Sequence, residues 1–187
     1  MKLRLWLLDI ASEHEGAESL LWLWGKGEDR STWVIKQEYI PSFYLVGDLR
    51  RVETLVKAEN LRWERCKRRI RGEPVEAVKV YVAREDAEKV AGKLVKRIGG
   101  GVEAYEEDIR PAAKYLLETG IKPCSWIEVE GEPDGEQEGI RFLKPRSIHV
   151  LEPSTPPELS AAAVDFVFFA ENGSARAERD PLRLISL

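Results

Sequence analysis

Hydrophobic and polar residues alternate with a period of two over much of the first forty positions, which is typical of half-buried β-strands. The clearest case is residues 2–10, where every second position from Leu3 to Leu7 is leucine. Further strands are predicted at 19–24 and 32–39, with a glycine-rich polar turn between them. The start of the chain therefore predicts an antiparallel β-meander.

From residue 42 the hydrophobic period changes back and forth between two and 3.6, so strands and amphipathic helices follow each other. The order is a strand, a helix capped by Asp48, two strands joined by a turn, a second helix and a last strand. The predicted strands are 42–46, 61–70, 75–82 and 102–105, and the second helix is 85–98. This βαββαβ order is that of a ferredoxin-like unit, similar to RNA-recognition modules.

The rest of the chain contains shorter elements and more polar segments. The predicted elements are a helix at 109–119, strands at 126–130 and 140–143 around a polar hairpin tip at 131–139, a proline-rich linker at 152–158, and strands at 159–169 and 182–187. The chain is accordingly divided into a first domain at 1–130, a hairpin and linker at 131–158, and an incomplete sheet at 159–187.

Composition restricts the class of protein. No segment approaches the roughly 18 consecutive apolar residues of a membrane helix, so no membrane partner is expected. Two cysteines and two histidines, without ligand spacing, predict neither a disulfide framework nor a zinc site. We therefore expect a cytoplasmic protein without a bound metal. The charged fraction of 33% favours a thermophilic source.

Positive charge is concentrated in residues 50–71, which we call the basic block. It contains nine lysines and arginines against three glutamates, in a chain whose net charge is −4. Such a block is typical of a surface that binds phosphate groups or an acidic partner. It is also typical of a solvated strand edge that prevents aggregation, and charge alone leaves both interpretations open.

If residues 61–71 form a strand, the odd-numbered side chains share one face. Cys66 and Ile70 lie on the opposite face, which is therefore predicted to pack on the core. The odd-numbered face then presents an indole among four cations, suited to a phosphate backbone with one stacked base. The predicted nucleic-acid-binding residues are Trp63, Arg65, Lys67, Arg69 and Arg71. They predict weak, sequence-independent binding of DNA.

Residues 105–128 resemble one enzyme family in the order of their parts. An acidic and aromatic segment leads to Asp108 and Ile109, then to a helix with the sequence KYLL, and then to TGIKPCSW. This arrangement resembles the end of the N-terminal domain of archaeal, crenarchaeal-type family B DNA polymerases. Residues 41–44 and 71–81 are similar to a strand and a hairpin of that domain. The resemblance thus covers nearly the whole chain and implies a role in DNA replication.

Residues 159–167 fall where this family has its first exonuclease motif, a strand that ends in the sequence FDIE. The resemblance places Asp165 at the first metal-binding carboxylate, whereas Val167 replaces the glutamate. Two-metal exonucleases need several oxygen ligands, and valine supplies none. We therefore expect no catalytic residue and no cofactor, with Asp165 as a vestigial candidate. Mg²⁺ would be bound only if a partner chain completed the site.

The resemblance also implies a pocket that senses uracil in the template strand. Its residues would be Pro41, Ser42, Glu88, Ile109, Arg110 and Lys114. Only Pro41 and Ile109 fit the family pattern. A carboxylate at Glu88 would be costly to bury beside a base, and a solvated glutamate at the start of a helix accounts for it equally. We therefore expect a degenerate pocket.

The fold class predicted from these patterns is α+β. It combines an N-terminal meander, a ferredoxin-like unit and the first strands of an incomplete exonuclease sheet of the RNase H-like type. The predicted function is that of a non-catalytic, polymerase-related protein that binds DNA or docks on a family B polymerase chain. Two alternatives remain open. The chain could be an N-terminal fragment or split subunit of an active family B polymerase with a proofreading exonuclease, or an unrelated ferredoxin-like module with an RNA-binding or regulatory role.

Overall fold

The computed structural model describes residues 1–15, 18–82, 87–168 and 182–186, with side chains at 1–13, 19–82 and 87–164. These residues form two compact units, Met1–Pro157 and Glu158–Leu187. The strands are β1 Lys2–Glu15, β2 Glu18–Gly27, β3 Thr32–Tyr39, β4 Ser42–Val46, β5 Arg62–Ile70, β6 Glu73–Tyr81, β7 Glu103–Tyr105, β8 Ser125–Gln137, β9 Ile140–Val150, β10 Asp165–Phe168 and β11 Leu182–Ser186. The helices are α1 Leu49–Ala58, α2 Ala87–Ile98 and α3 Pro111–Thr119. Within the described part of the chain, no helix is long and apolar enough to span a bilayer.

The first unit contains a closed barrel of five strands in the order β1-β2-β3-β9-β8. The predicted meander forms its first three strands, which pair antiparallel. β8 closes the barrel against β1, and β9 pairs in parallel with β3, with Thr32 opposite Ile140. The leucines of the alternating pattern, such as Leu5 and Leu23, fill the interior. The meander is therefore one part of a barrel that residues 125–150 complete.

The polar segment 131–139 is not a hairpin tip as predicted. β8 continues to Gln137, and the turn to β9 contains only residues 138 and 139. Opposite charges across the two strands stabilise this polar extension, since Arg146 pairs with Glu132 and Arg141 with Glu136.

The second sheet of the first unit is inserted between β3 and α3, in the order β5-β6-β4-β7. All of its strand pairs are antiparallel. Its described strands agree with the predicted bounds to within two residues. α1 begins at the predicted cap, because the Asp48 carboxylate accepts hydrogen bonds from the backbone N–H groups of Arg50 and Arg51.

Helices α1 and α2 pack on one face of this sheet. Val52 and Val56 of α1 and Leu94 of α2 meet Phe43 and Val80 from the central strands, and all five side chains are buried. The four-stranded sheet and its two helices therefore have a hydrophobic core of their own, separate from that of the barrel.

In the second unit, β10 and β11 pair antiparallel, with Asp165 opposite Ser186. The predicted strand at 159–169 is shorter in the structure, because residues 159–164 have no regular secondary structure. Three of these six residues are alanines, which have low β-propensity, and Leu159 and Val164 are exposed. Asp165 therefore begins a strand.

Gly47 lies between β4 and α1 in a conformation that other residues rarely adopt, with a φ of +135°. A Cβ at this position would lie 2.0 Å from the carbonyl oxygen of Gly101. We therefore expect Gly47→Ala to lower the free energy of unfolding by about 2–4 kcal/mol, measured by urea denaturation.

The matched control for this substitution is Gly92→Ala in α2, where a Cβ would have no neighbour within 4 Å. It should raise the free energy of unfolding by about 0.5–1 kcal/mol, because alanine is the better helix former. Equal stability of the two variants would contradict the assigned geometry of the turn at Gly47.

Candidate nucleic-acid interface

The basic block occupies α1, β5 and the turn between β5 and β6. β5 is an edge strand that pairs only with β6 within the four-stranded sheet. The turn consists of Arg71 and Gly72, with φ values of +51° and +89°, so both residues have the positive φ of a type I′ hairpin. Since this turn ends the hairpin, the cations beside it lie at one end of the sheet.

The predicted orientation of β5 is wrong. Trp63 packs against the hydrophobic core beneath the helices, and the Arg65 guanidinium donates to Glu53 of α1 at 2.9 Å. The odd-numbered face of β5 is therefore the helix side, and Cys66 lies on the opposite face. The strand register explains this, because Trp63 is paired with Val80, whose side chain is fully buried.

Three of the five predicted binding residues lie near the turn, and we call Lys67, Arg69 and Arg71 the hairpin cations. The Lys67 side chain is 83% exposed, and its ammonium group is 3.9 Å from Glu76. Arg69 and Arg71 are exposed, and no described carboxylate lies within ion-pair distance of either. The structure thus leaves a cluster of positive charge at this end of the sheet.

Sequence reasoning missed two tyrosines on the face of the sheet opposite the helices, Tyr44 of β4 and Tyr81 of β6. The Arg68 guanidinium lies 4.3 Å from the centre of the Tyr44 ring, and the Arg62 guanidinium lies 4.5 Å from that of Tyr81. Alternation was the available signal, because Tyr44 lies between Phe43 and Leu45, which both face the core. Aromatic rings on such sheets stack on bases in RNA-binding proteins, but Tyr44 is only 2% exposed.

Helix α3 covers Tyr44. The Lys114 side chain is 1% exposed, with its ammonium group 4.5 Å from the Tyr44 ring and paired with Glu106. One turn later, Glu118 forms an ion pair with Lys79 at 2.8 Å. These contacts fill the space over Tyr44 with protein side chains.

Glu118 also accepts hydrogen bonds from Tyr39 at 2.9 Å and from Ser42 at 3.2 Å. Burial by itself raises the pKa of Glu118, but the hydrogen bonds from Lys79 and Tyr39 outweigh it and leave the pKa below 4.5. Burial and the neighbouring Glu118 charge raise the pKa of Tyr39, so its hydroxyl stays a donor. The network therefore holds an ionised carboxylate between the barrel and the sheet.

The residues of the predicted uracil pocket lie in different environments. Ser42 and Lys114 are buried and are engaged with Glu118 and Glu106 respectively. Pro41 and Ile109 are half-buried, whereas Arg110 is exposed. Glu88 is exposed in the first turn of α2.

In the described part of the chain, no three His, Cys, Asp or Glu side chains lie close enough together to hold a metal ion. The side chains of Asp165 and Val167 lie outside the described residues.

Comparisons with known proteins identify relatives along almost the whole chain, although no protein-family model matches it. DNA polymerase 3 of Saccharolobus shibatae is 27% identical over 193 aligned positions, gaps included, which cover 97% of this chain and 25% of the relative. DNA polymerase 3 of Saccharolobus solfataricus is 24% identical over 189 aligned positions, with the same coverage. DNA polymerase 2 of Aeropyrum pernix is 30% identical over 135 residues, which cover 66% of this chain and 17% of the relative.

A solved structure extends this relationship to the fold. The family B DNA polymerase of the hyperthermophilic archaeon Pyrobaculum calidifontis matches 98% of this chain with a TM-score of 0.76 and 26% identity. The match covers 25% of that polymerase. The chain thus spans about a quarter of the length of the two Saccharolobus relatives and of the solved polymerase. The predicted resemblance to archaeal family B polymerases is confirmed.

We expect Glu118→Gln to lower the free energy of unfolding at pH 7 by about 1 kcal/mol, because the neutral amide cannot form an ion pair with Lys79. The folded-state pKa of Glu118 is lowered, so its contribution is complete above the unfolded value near 4.5 and is lost as the pH falls through the folded value. The stability difference between the two proteins should therefore shrink as the pH is lowered below about 4.5.

Urea denaturation at a series of pH values measures this difference. The control is Glu132→Gln, which removes an exposed ion pair with Arg146 and should change the free energy of unfolding by less than about 0.5 kcal/mol. A difference for Glu118→Gln that stays constant down to pH ~2.5 would contradict the assigned ionised state.

Proposed function

We propose that this chain, a homologue of the N-terminal part of archaeal family B DNA polymerases, binds a single DNA strand through the hairpin cations. In this proposal the chain has no catalytic activity by itself and contributes a contact to the template strand. The observation that carries the proposal is the cluster formed by Lys67, Arg69 and Arg71, which are exposed in a chain of net charge −4.

The charges on the barrel support this choice of surface. Lys2, Lys36 and Lys144 pair with Glu128, Asp134 and Glu38 at 2.8, 2.6 and 2.9 Å. Their charges are neutralised within the protein, so they release few counterions when a nucleic acid binds. Lys67 is 3.9 Å from Glu76, and Arg69 and Arg71 have no described carboxylate within ion-pair distance. The hairpin cations are therefore the better candidates for phosphate groups.

The fold supports a single-stranded nucleic acid as the ligand. We assign the inserted sheet to the ferredoxin-like class, because the order β5-β6-β4-β7 with two helices on one face agrees with a βαββαβ unit. We assign the barrel to the OB class, because it is a closed five-stranded barrel in which β3 and β9 are parallel. Both classes recur among proteins that bind single-stranded nucleic acids, although a fold class alone assigns no function.

A second candidate function is that of the N-terminal region of a working family B polymerase, or of a subunit that docks on one. The observation that favours it is the match to only a quarter of the relatives' length. The hairpin cations would then hold the template strand for catalytic domains in the remaining three quarters or in a partner chain.

A salt series tests the binding proposal. Fluorescence anisotropy with labelled single-stranded oligothymidine should show weak binding at low salt, with a slope of log K against log salt of about −2 for three phosphates. The double substitution Lys67→Glu, Arg69→Glu should weaken binding at least about tenfold, because it replaces two contacts with two repulsions. Random-sequence and oligothymidine strands of equal length should bind alike, since phosphate contacts carry no sequence information.

The control for these measurements is Lys122→Glu, Lys144→Glu, which changes the net charge equally at two exposed positions outside the hairpin. It should retain binding within about twofold. Unchanged binding in the hairpin variant would contradict the proposal, and loss of binding in both variants would reduce it to a general effect of net charge. Circular dichroism establishes that each variant is folded.

The proposal also predicts that the purified chain has no 3′–5′ exonuclease activity, because Val167 offers no oxygen ligand beside Asp165. Labelled single-stranded DNA incubated with Mg²⁺ or Mn²⁺ should remain intact on a denaturing gel. Degradation that disappears in an Asp165→Ala variant would show that the chain is a nuclease.

A further inference from the structure

A groove with a volume of about 650 Å³ lies beside α2 and the start of β5, at the opposite end of β5 from the hairpin turn. Its floor is apolar and is formed by Ile40, Leu61, Val82, Val90 and Leu94. Val82 and Leu94 belong to the hydrophobic core and are 3% and 2% exposed. The floor is therefore a fixed part of the sheet unit, and the volume is in the range of small-molecule sites.

The rim of the groove is positively charged. Among the described residues that line the groove, four are cations, Arg62, Lys93, Lys96 and Arg97, and one is a carboxylate, Glu59. Arg97 uses part of its charge on Glu59, with which it forms an ion pair. Lys96 is exposed in the last turn of α2. An anionic group at the rim would thus meet a net positive potential beside an apolar surface.

Two planar groups add hydrogen-bonding and stacking chemistry. The Arg62 guanidinium stacks over Tyr81 at 4.5 Å, and guanidinium planes of this kind stack on unpaired bases. Asn60 lines the groove directly after α1 with a φ of +55°, a conformation in which asparagine is favoured over most residues. Its amide offers one donor group and one acceptor, the pair that base edges require.

We propose that this groove binds one unstacked nucleobase of a single nucleic-acid strand, with the adjoining phosphates on Arg62 and Lys96. The proposal extends the proposed function, because the same strand would run along β5 from the hairpin cations to the groove. Arg62 and Ile70 are the ends of β5, about 26 Å apart at about 3.3 Å per residue. The volume suits a single nucleotide, and an extended acidic peptide would leave the Asn60 amide without a matching planar edge.

Free deoxyadenosine monophosphate tests the groove without the hairpin. Titrated into ¹⁵N-labelled full chain at about 0.15 M salt, it should bind weakly, with Kd on the order of 1 mM. We expect chemical-shift changes at the amides of Asn60, Leu61 and Leu94. Deoxyribose 5-phosphate, which has the same phosphate and no base, should shift these amides much less at the same concentration.

Two exposed substitutions test the assigned contacts. Lys96→Glu replaces a phosphate contact with a repulsion, and Asn60→Asp replaces the amide donor with a carboxylate that tolerates the same backbone conformation. Each should raise the Kd for deoxyadenosine monophosphate about five- to tenfold. Lys89→Glu is the matched control, since it makes the same charge change on α2 at a residue that does not line the groove. It should change the Kd less than about twofold.

The outcome separates this inference from the proposed function. The Lys67→Glu, Arg69→Glu variant should bind the free nucleotide as the parent does, whether or not the hairpin binds DNA. Absence of shifts in the groove, or equal shifts with deoxyribose 5-phosphate, would overturn the inference. So would shifts at the same amides with a peptide of alternating glutamate and leucine but not with the nucleotide, because the groove would then be a protein-docking site.

Discussion

The two modules of the first unit are joined by the charged side chains of α3. Tyr115 of this helix packs in the barrel core, whereas Lys114 and Glu118 reach the inserted sheet. An ammonium group buried as fully as that of Lys114 loses its hydration and must be compensated. Glu106 and the face of the Tyr44 ring supply this compensation. The position of the sheet against the barrel therefore depends on a few specific polar contacts. A purely apolar contact would fix this position less specifically.

This junction decides which surfaces remain for nucleic acid. Aromatic rings on the open face of a four-stranded sheet stack on bases in RNA-binding proteins, and Tyr44 lies on the sheet face opposite helices α1 and α2. Here the Lys114 ammonium and the Arg68 guanidinium lie 4.5 and 4.3 Å from the centre of that ring, and only 2% of Tyr44 is exposed, so a base cannot stack on it. In the proposed function, contacts with a nucleic-acid strand are therefore made at the margins of the sheet and not at its centre. The hairpin turn at one end of β5 and the groove at the other both carry exposed cations, such as Arg69 and Lys96.

Local sequence patterns predicted the elements of the inserted sheet and its two helices, but they did not predict that distant strands close the barrel. The strands and helices from β4 to β7 follow from hydrophobic periodicity within a few residues of each element, and the cap at Asp48 has a local signature. Closure of the barrel requires β3 to pair with β9, and no local signal joins residues so far apart. The side of β5 that faces the core was also undetermined, because Trp63 and Cys66 place an apolar residue on each face. Only the pairing of Trp63 with the buried Val80 decides it.

The two polar hairpins of the first unit show what folding alone requires. The β8–β9 hairpin balances its charges across the strands, with Glu132 beside Arg146 and Glu136 beside Arg141. In the β5–β6 hairpin, Arg69 is opposite Pro74 and has no carboxylate partner among the described residues. Unbalanced like charges weaken a hairpin, and the β8–β9 hairpin shows that this fold can balance them. The excess positive charge is therefore not needed for stability, which is the physical reason to seek an anionic partner for it.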